Sequence, residues 1–393
     1  MFFQLSRTLM KTLFIDSSSE LESLCAELAH HPFVTVDTEF VRERTYYPQL
    51  ALIQLGNPEI IACVDPLAID DLSPLKTLMH DPRVTKVFHA ASQDMEIFHL
   101  CFKQLPKPVF DSQLAASVLG LGDQVGYANL VKEIINVDLD KSQSRTDWIQ
   151  RPLDPKQITY AEDDVRYLTQ IYPIMLEQLS ELNRLSWLDD DFASLTDEQR
   201  YIPQPDQMWK KVKGMKKLKG VQLSILQAVT GWREHQAIEQ DIPRRRVIGD
   251  ELLLDMAKLR PKTVEALAKL RGINGGLVNR HGKALINLIE QAQQRPREEW
   301  PKQPKFIRLD AAQDAIVDAL SAIVKLCAAQ HKINANNLVC RKELEKLVCG
   351  ERDLPILQGW RLRHGGQLLL DFIDGDGTLR IDKMSLKFDT ANT

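Results

Sequence analysis

Apolar positions in the first hundred residues follow two different periods. Leu13–Ile15, Phe33–Val36, Leu50–Leu55, Ile60–Val64 and Val84–His89 are short runs dense in aliphatic and β-branched side chains, as strands are. Between the third and fourth runs, Gly56-Asn57-Pro58 reads as a hairpin turn. Leu21–Ala29, Leu72–Met79 and Ser92–Phe102 instead repeat apolar side chains every three or four residues, the spacing of an amphipathic helix. Ser18 stands where the first of these helices needs an N-cap. Three antiparallel-type strands followed by β/α alternation predict a mixed α/β sheet flanked by helices.

Beyond about residue 108 the helical period takes over, at 111–119, 127–136, 155–160 and 161–183. Tyr201–Asp206 carries two prolines in three residues and predicts a linker. Residues 208–293 and 310–373 then read as helical units, separated by a proline-containing stretch from Arg295 to Pro304. The predicted division is an α/β domain over 10–200, a linker over 201–207, an all-α unit over 208–294, a linker over 295–309, and a second all-α unit with its tail over 310–393. From Asp374-Gly375-Asp376-Gly377 onward the tail is turn-rich and is expected to be partly mobile. Residues 1–9 precede the first strand, and Met10 offers a second start. They read as an extension outside the fold or as a product of start-site choice.

Composition narrows the class. No run approaches ~18 apolar residues, which argues against a membrane span. The six cysteines form no C-x-x-C pair and suit reduced thiols in the cytoplasm rather than a disulfide framework. The absence of heptads leaves a monomer as the expectation. The net charge of −4 hides an asymmetry: residues 1–206 carry −15, residues 207–300 carry +9, and residues 301–393 carry +2. One part is suited to collecting cations and another to holding a polyanion.

The candidate chemistry lies in the acidic part. Asp37 and Glu39 flank Thr38 at the end of a strand, so both carboxylates leave one face. Such crowding calls for a cation, and hard oxygen donors suit Mg²⁺ or Mn²⁺. Asp94 opens a helix after the Val87-Phe88-His89 strand. Tyr160 and Asp164 share one face of a later helix at i and i+4. Four acids converging on two divalent ions can hold both oxygens of an in-line phosphoryl displacement, with the tyrosine hydroxyl positioning water.

The segments Asp37–Gly56, Val87–Phe98, Val109–Gly120, Arg145-Thr146-Asp147-Trp148 with Arg151-Pro152-Leu153, and Tyr160–Leu168 together resemble the ribonuclease D family. These are bacterial members of the DEDD 3′–5′ exonuclease superfamily, in its tyrosine subclass. The resemblance implies a ribonuclease-H-like sheet, catalysis by Asp37, Glu39, Asp94, Tyr160 and Asp164, and two divalent ions held by the four acids. It also implies stepwise release of nucleoside 5′-monophosphates from RNA 3′-hydroxyl ends, with tRNA precursors and small structured RNAs bearing a single-stranded 3′ tail as substrates. Leu226–Leu288 resembles the HRDC domain, through Trp232-Arg233, Asp241-Ile242-Pro243, Gly272-Ile273 and Arg280-His281-Gly282, and 310–373 looks like a divergent second copy. Phe40 is expected to stack or wedge against the terminal base, and Gln54 to line the substrate cleft. Lys210, Lys211, Lys213, Lys216, Lys217, Arg244, Arg245 and Arg246 are expected to neutralise RNA phosphates. A DNA exonuclease of the same superfamily and a non-catalytic RNA-binding scaffold are the alternatives.

Overall fold

The computed structural model describes residues 10–140, 142–143, 146–303 and 308–390. The extension expected at residues 1–9, Arg145 of the motif above and residues 304–307 of the second expected linker lie outside the described residues. Six strands pair in the order β1-β4-β3-β2-β5-β6, with β1 at Lys11–Ile15, β2 at Phe33–Val41, β3 at Gln49–Gly56, β4 at Ile60–Val64, β5 at Thr85–Phe88 and β6 at Val109–Asp111. β3 and β4 form the expected antiparallel hairpin, whereas β1–β4, β2–β5 and β5–β6 pair in parallel. The sheet is therefore mixed. The three-residue β6 falls where the sequence shows only helical spacing.

Strand alternation assigns each face its function. On β2, Val34 and Val36 enter a core built with α1 (Ser18–Leu28), α2 (Ser73–His80) and α3 (Ser92–Phe102). Phe33 enters the opposite core, built with α4 (Ser112–Leu119), α5 (Tyr127–Ile135) and α6 (Pro155–Glu181). Asp37 and Glu39 share the parity of Phe33 and project toward the α6 side; Thr38 projects toward α3. The helix α1 is preceded by Ser17, not Ser18, at the N-cap position, and the Ser17 hydroxyl bonds Glu20 instead of a backbone amide. The separate helical runs at 155–160 and 161–183 are one helix, which opens with a capping box between Asp154 and Gln157 and continues through Pro173.

A small joint seats α6 on the strands. The buried Thr35 hydroxyl lies 3.1 Å from the Gly56 carbonyl oxygen and 3.2 Å from that of Val165. A β-carbon on Gly56 would lie 2.7 Å from Thr35 Oγ1 and 2.9 Å from Ile61 Cδ1. Only a residue without a side chain lets β3, β2 and α6 approach this closely.

The chain groups into two compact units. Of the described residues, one holds those within 10–40, 50–201 and 308–390; the other holds those within 41–49 and 202–303. Within the first, helices from Ala311 onward share the α4–α6 core. Trp187 and Trp360 stack with ring centroids 4.3 Å apart, and Arg184 bridges the Val118 and His331 carbonyls at 2.7 Å each. The tail differs from expectation: β7 (Gly377–Asp382) and β8 (Ser385–Thr390) form an antiparallel hairpin. Its turn places Lys383 and Met384 at φ of +48° and +65°, positions usually given to Asn or Gly, so the sequence carries no turn signal there. The second unit is a helical bundle around Val221–Glu239, with Leu226, Val229, Leu253, Met256, Leu285 and Ile289 in its core. Segment 41–49 packs with it: the Tyr46 hydroxyl donates to Glu234 at 2.6 Å, and Asp241 accepts from the Tyr46 and Tyr47 amides at 3.0 Å. Among the described residues no helix is long and apolar enough to cross a membrane.

Gly56→Ala should cost about 1–3 kcal/mol by overpacking the joint. Urea unfolding checks this; an unchanged midpoint would contradict the close approach of α6.

Candidate active site

The β2 parity and the α6 joint bring carboxylates from two elements together. Asp37, Glu39 and Asp164 each present an oxygen within 4.8 Å of the others. Asp94, buried on α3, is not one of these three, but its Oδ1 accepts a hydrogen bond from the Thr38 hydroxyl at 2.6 Å, which ties it to β2 between Asp37 and Glu39. Thr38, which the sequence offers only as the spacer between two acids, thus holds the fourth carboxylate. Its signal was the strand alternation that aims it at α3.

The electrostatics are those of acids without counter-charge. Burial, then the charges of Asp164 and Asp94, push the Asp37 carboxyl well above the usual carboxylate range, against a lowering bond from the Thr38 amide. Burial, then Asp37 and Asp94, push Glu39 up to about 9. Burial and then Glu39 and Asp163 raise Asp164. Asp94 is pushed to about 7, again chiefly by burial, with the Thr38 hydroxyl pulling the other way. No Lys, Arg or His among the described residues forms an ion pair with any of the four. A donor set made only of carboxylate oxygens, raised in pKa chiefly by burial and further by neighbouring carboxylates, fits a hard divalent cation. Burial and the Asp164, Glu39 and Asp37 charges also raise the Tyr160 phenol, so it stays protonated. The buried Asp111 and the half-buried Tyr127 complete the surroundings. Asp111 receives the Ala90 and Ala91 amides at 3.1 and 2.9 Å beside α3. Tyr127 donates to the Asp163 carbonyl at 2.9 Å.

The other expected contacts are placed as follows. Phe40 is half-buried on β2 beyond Glu39. Gln54 is fully buried on β3, an interior strand of the sheet, and neither of its amide atoms has a hydrogen-bond partner. Lys210, Lys211, Lys213, Lys216 and Lys217 are all exposed, because Met208, Trp209, Val212, Met215 and Leu218 turn inward between them. This segment forms 3₁₀ turns at Pro205–Lys211 and Met215–Lys217. Arg244 pairs with the buried Glu234 at 2.9 Å and lies 5.7 Å over the Tyr46 ring, which gives it a structural task. Arg245 is 3.5 Å from Asp250, and Arg246 is exposed.

A mixed sheet that gathers acids from β2 and α6 is the arrangement of a nuclease, and residues 13–180 match the family model described as 3′–5′ exonuclease, with 222–289 matching the HRDC domain. The chain is 38% identical over 378 residues to ribonuclease D of Gluconacetobacter diazotrophicus, across 95% of this chain and 96% of that protein. It is 36% identical over 368 residues to ribonuclease D of Pseudomonas paraeruginosa, across 92% and 97%. The crystal structure of Escherichia coli RNase D, an exoribonuclease involved in structured RNA processing, superposes with a TM-score of 0.82 at 33% identity, covering 93% of this chain and 99% of that one. The chain belongs to the ribonuclease D family and is a 3′–5′ exoribonuclease, a hydrolase of phosphodiester bonds.

The raised carboxyls set a pH dependence. Glu39 goes from an ordinary 4.5 to about 9 on folding, so between these values the folded protein binds more protons than the unfolded chain. Metal-free stability should therefore fall as pH rises through that window. Divalent cations, which need the deprotonated ligands, should offset the fall. Thermal melts with chelator and with Mn²⁺ from about pH 5.5 to about pH 8.5 test this; a chelated melting temperature that rises across the range would contradict it.

Proposed function

We propose that the chain trims the 3′ ends of tRNA precursors and other small structured RNAs in the cytoplasm, acting as a single chain and releasing nucleoside 5′-monophosphates. The observation that carries the reading is the convergence of Asp37, Glu39 and Asp164 oxygens within 4.8 Å. Two divalent ions, Mg²⁺ or Mn²⁺, would supply stabilisation of both the attacking and leaving oxygens of an in-line displacement.

The residues divide the remaining work. Asp37, Glu39 and Asp164 present the nearest donors. Asp94 uses one oxygen on Thr38 and keeps the other for ligation. Tyr160 stands one helical turn before Asp164, on the same face. Its protonated phenol orients the attacking water by hydrogen bonding. Phe40 follows Glu39 on the strand and stacks on the terminal base. The exposed lysines of 210–217, with Arg245 and Arg246, hold the RNA body through its phosphates without reading sequence.

The test is a 5′-labelled RNA hairpin with an unpaired 3′ tail, beside its DNA counterpart, with Mg²⁺ or Mn²⁺. RNA should shorten one nucleotide at a time from the 3′ end. Asp164→Asn should slow the reaction at least about 100-fold while RNA binding persists. Equal trimming of the DNA would contradict the RNA assignment, and binding without trimming under either metal would point to a scaffold.

A further inference from the structure

The Tyr160 hydroxyl has no hydrogen-bond partner among the described residues, so its placement depends on how its ring is packed. The aromatic wall beside it is Trp148, with ring centroids 6.2 Å apart and planes inclined by 39°. Trp148 is 2% exposed, and its indole N–H is buried without a partner. Its polar anchoring therefore comes through its backbone. Residues 146–153 form no helix or strand, so their own backbone pairing does not hold the indole in place.

Arg151 anchors this loop. Its Nη1 donates to the Trp148 carbonyl at 2.7 Å. Its Nε and Nη2 grip both oxygens of Asp65 at 2.6 and 2.8 Å, and Nη2 also reaches the Ala51 carbonyl at 2.6 Å. Asp65 directly follows β4, and its amide donates to the Ile15 carbonyl at 2.8 Å. The guanidinium thus ties the loop to the ends of β1, β3 and β4. Burial alone would raise the Asp65 carboxyl. The Arg151 hydrogen bond, then the Leu67 amide, outweigh it and hold Asp65 below its ordinary range, so the pair stays charged. At the other end of the loop, Gln157 donates to the Thr146 hydroxyl at 2.9 Å and to the Asp147 carbonyl at 3.3 Å, one turn before Tyr160.

We propose that Asp65 and Arg151 are positioning residues for Tyr160: the pair fixes Trp148, and the Trp148 indole fixes the phenol. The proposal rests on the reading of Tyr160 as the group that orients water. A lysine keeps the charge of Arg151 but cannot hold a carboxylate fork and two carbonyls together.

The experiment is a double-mutant cycle on the full-length protein, with the tailed RNA hairpin and saturating Mn²⁺. Arg151→Lys should lower kcat about 10–100-fold, the scale of a small misplacement of a reacting group. KM and Mn²⁺ affinity should stay at wild-type values. In a Tyr160→Phe background the same substitution should cost nothing further, because the group it positions is gone. An equal loss in both backgrounds, or a change confined to KM, would overturn the clamp and assign the pair a purely structural role. Tyr160→Phe at the wild-type rate would instead refute the role of Tyr160 and the clamp with it. Trp148→Leu provides the same cycle through the indole, and either substitution decides the matter if the other protein does not fold.

Discussion

Three carboxylates whose oxygens lie within 4.8 Å of one another cannot all be ionised in a partly buried site unless a cation joins them. Much of the first unit can be understood from that repulsion. Asp37 and Glu39 reach the site because the strand alternates. Asp164 reaches it because Gly56 lets α6 settle against Thr35. Asp94 is held through the Thr38 hydroxyl, and its charge adds to that on Asp37 and Glu39. Burial, then the charges of Asp37 and Asp94, push Glu39 up to about 9, and a divalent ion would favour its ionised form.

The same acids shape Tyr160. Their charge adds to burial and raises the phenol, which keeps its proton. A neutral hydroxyl without a hydrogen-bond partner needs its ring held, and the loop built around Trp148 and Arg151 supplies a wall. The second unit carries the opposite charge. Apolar side chains at 208, 209, 212, 215 and 218 turn inward, and every lysine between them is left exposed.

Much of this was legible in the sequence. The Asp37–Glu39 parity, the i and i+4 relation of Tyr160 to Asp164, the β3–β4 hairpin and the helical second unit follow from periods of 2 and 3.6. What was not legible depends on tertiary contact. A lone glycine in an apolar strand does not announce that a helix will pack on it. Thr38 looks like a spacer until α3 is placed beneath it. Arg244 reads only as one of a basic triplet, and the fold alone shows that it also pairs with Glu234 and lies over Tyr46. Gln54 reads as a polar strand residue, and only the fold shows that it is buried on an interior strand with both amide atoms unpaired. The terminal hairpin escaped because Lys383 and Met384 occupy its turn without any glycine or asparagine.

Isothermal titration of Mn²⁺ into the chelated protein, in two buffers of different ionisation enthalpy, addresses the central claim most directly. Binding should release protons, since carboxyls raised by burial and repulsion must ionise to become ligands. Asp37→Asn should weaken that binding and reduce the proton release. Saturable binding with no proton release, or binding that Asp37→Asn leaves untouched, would contradict the account.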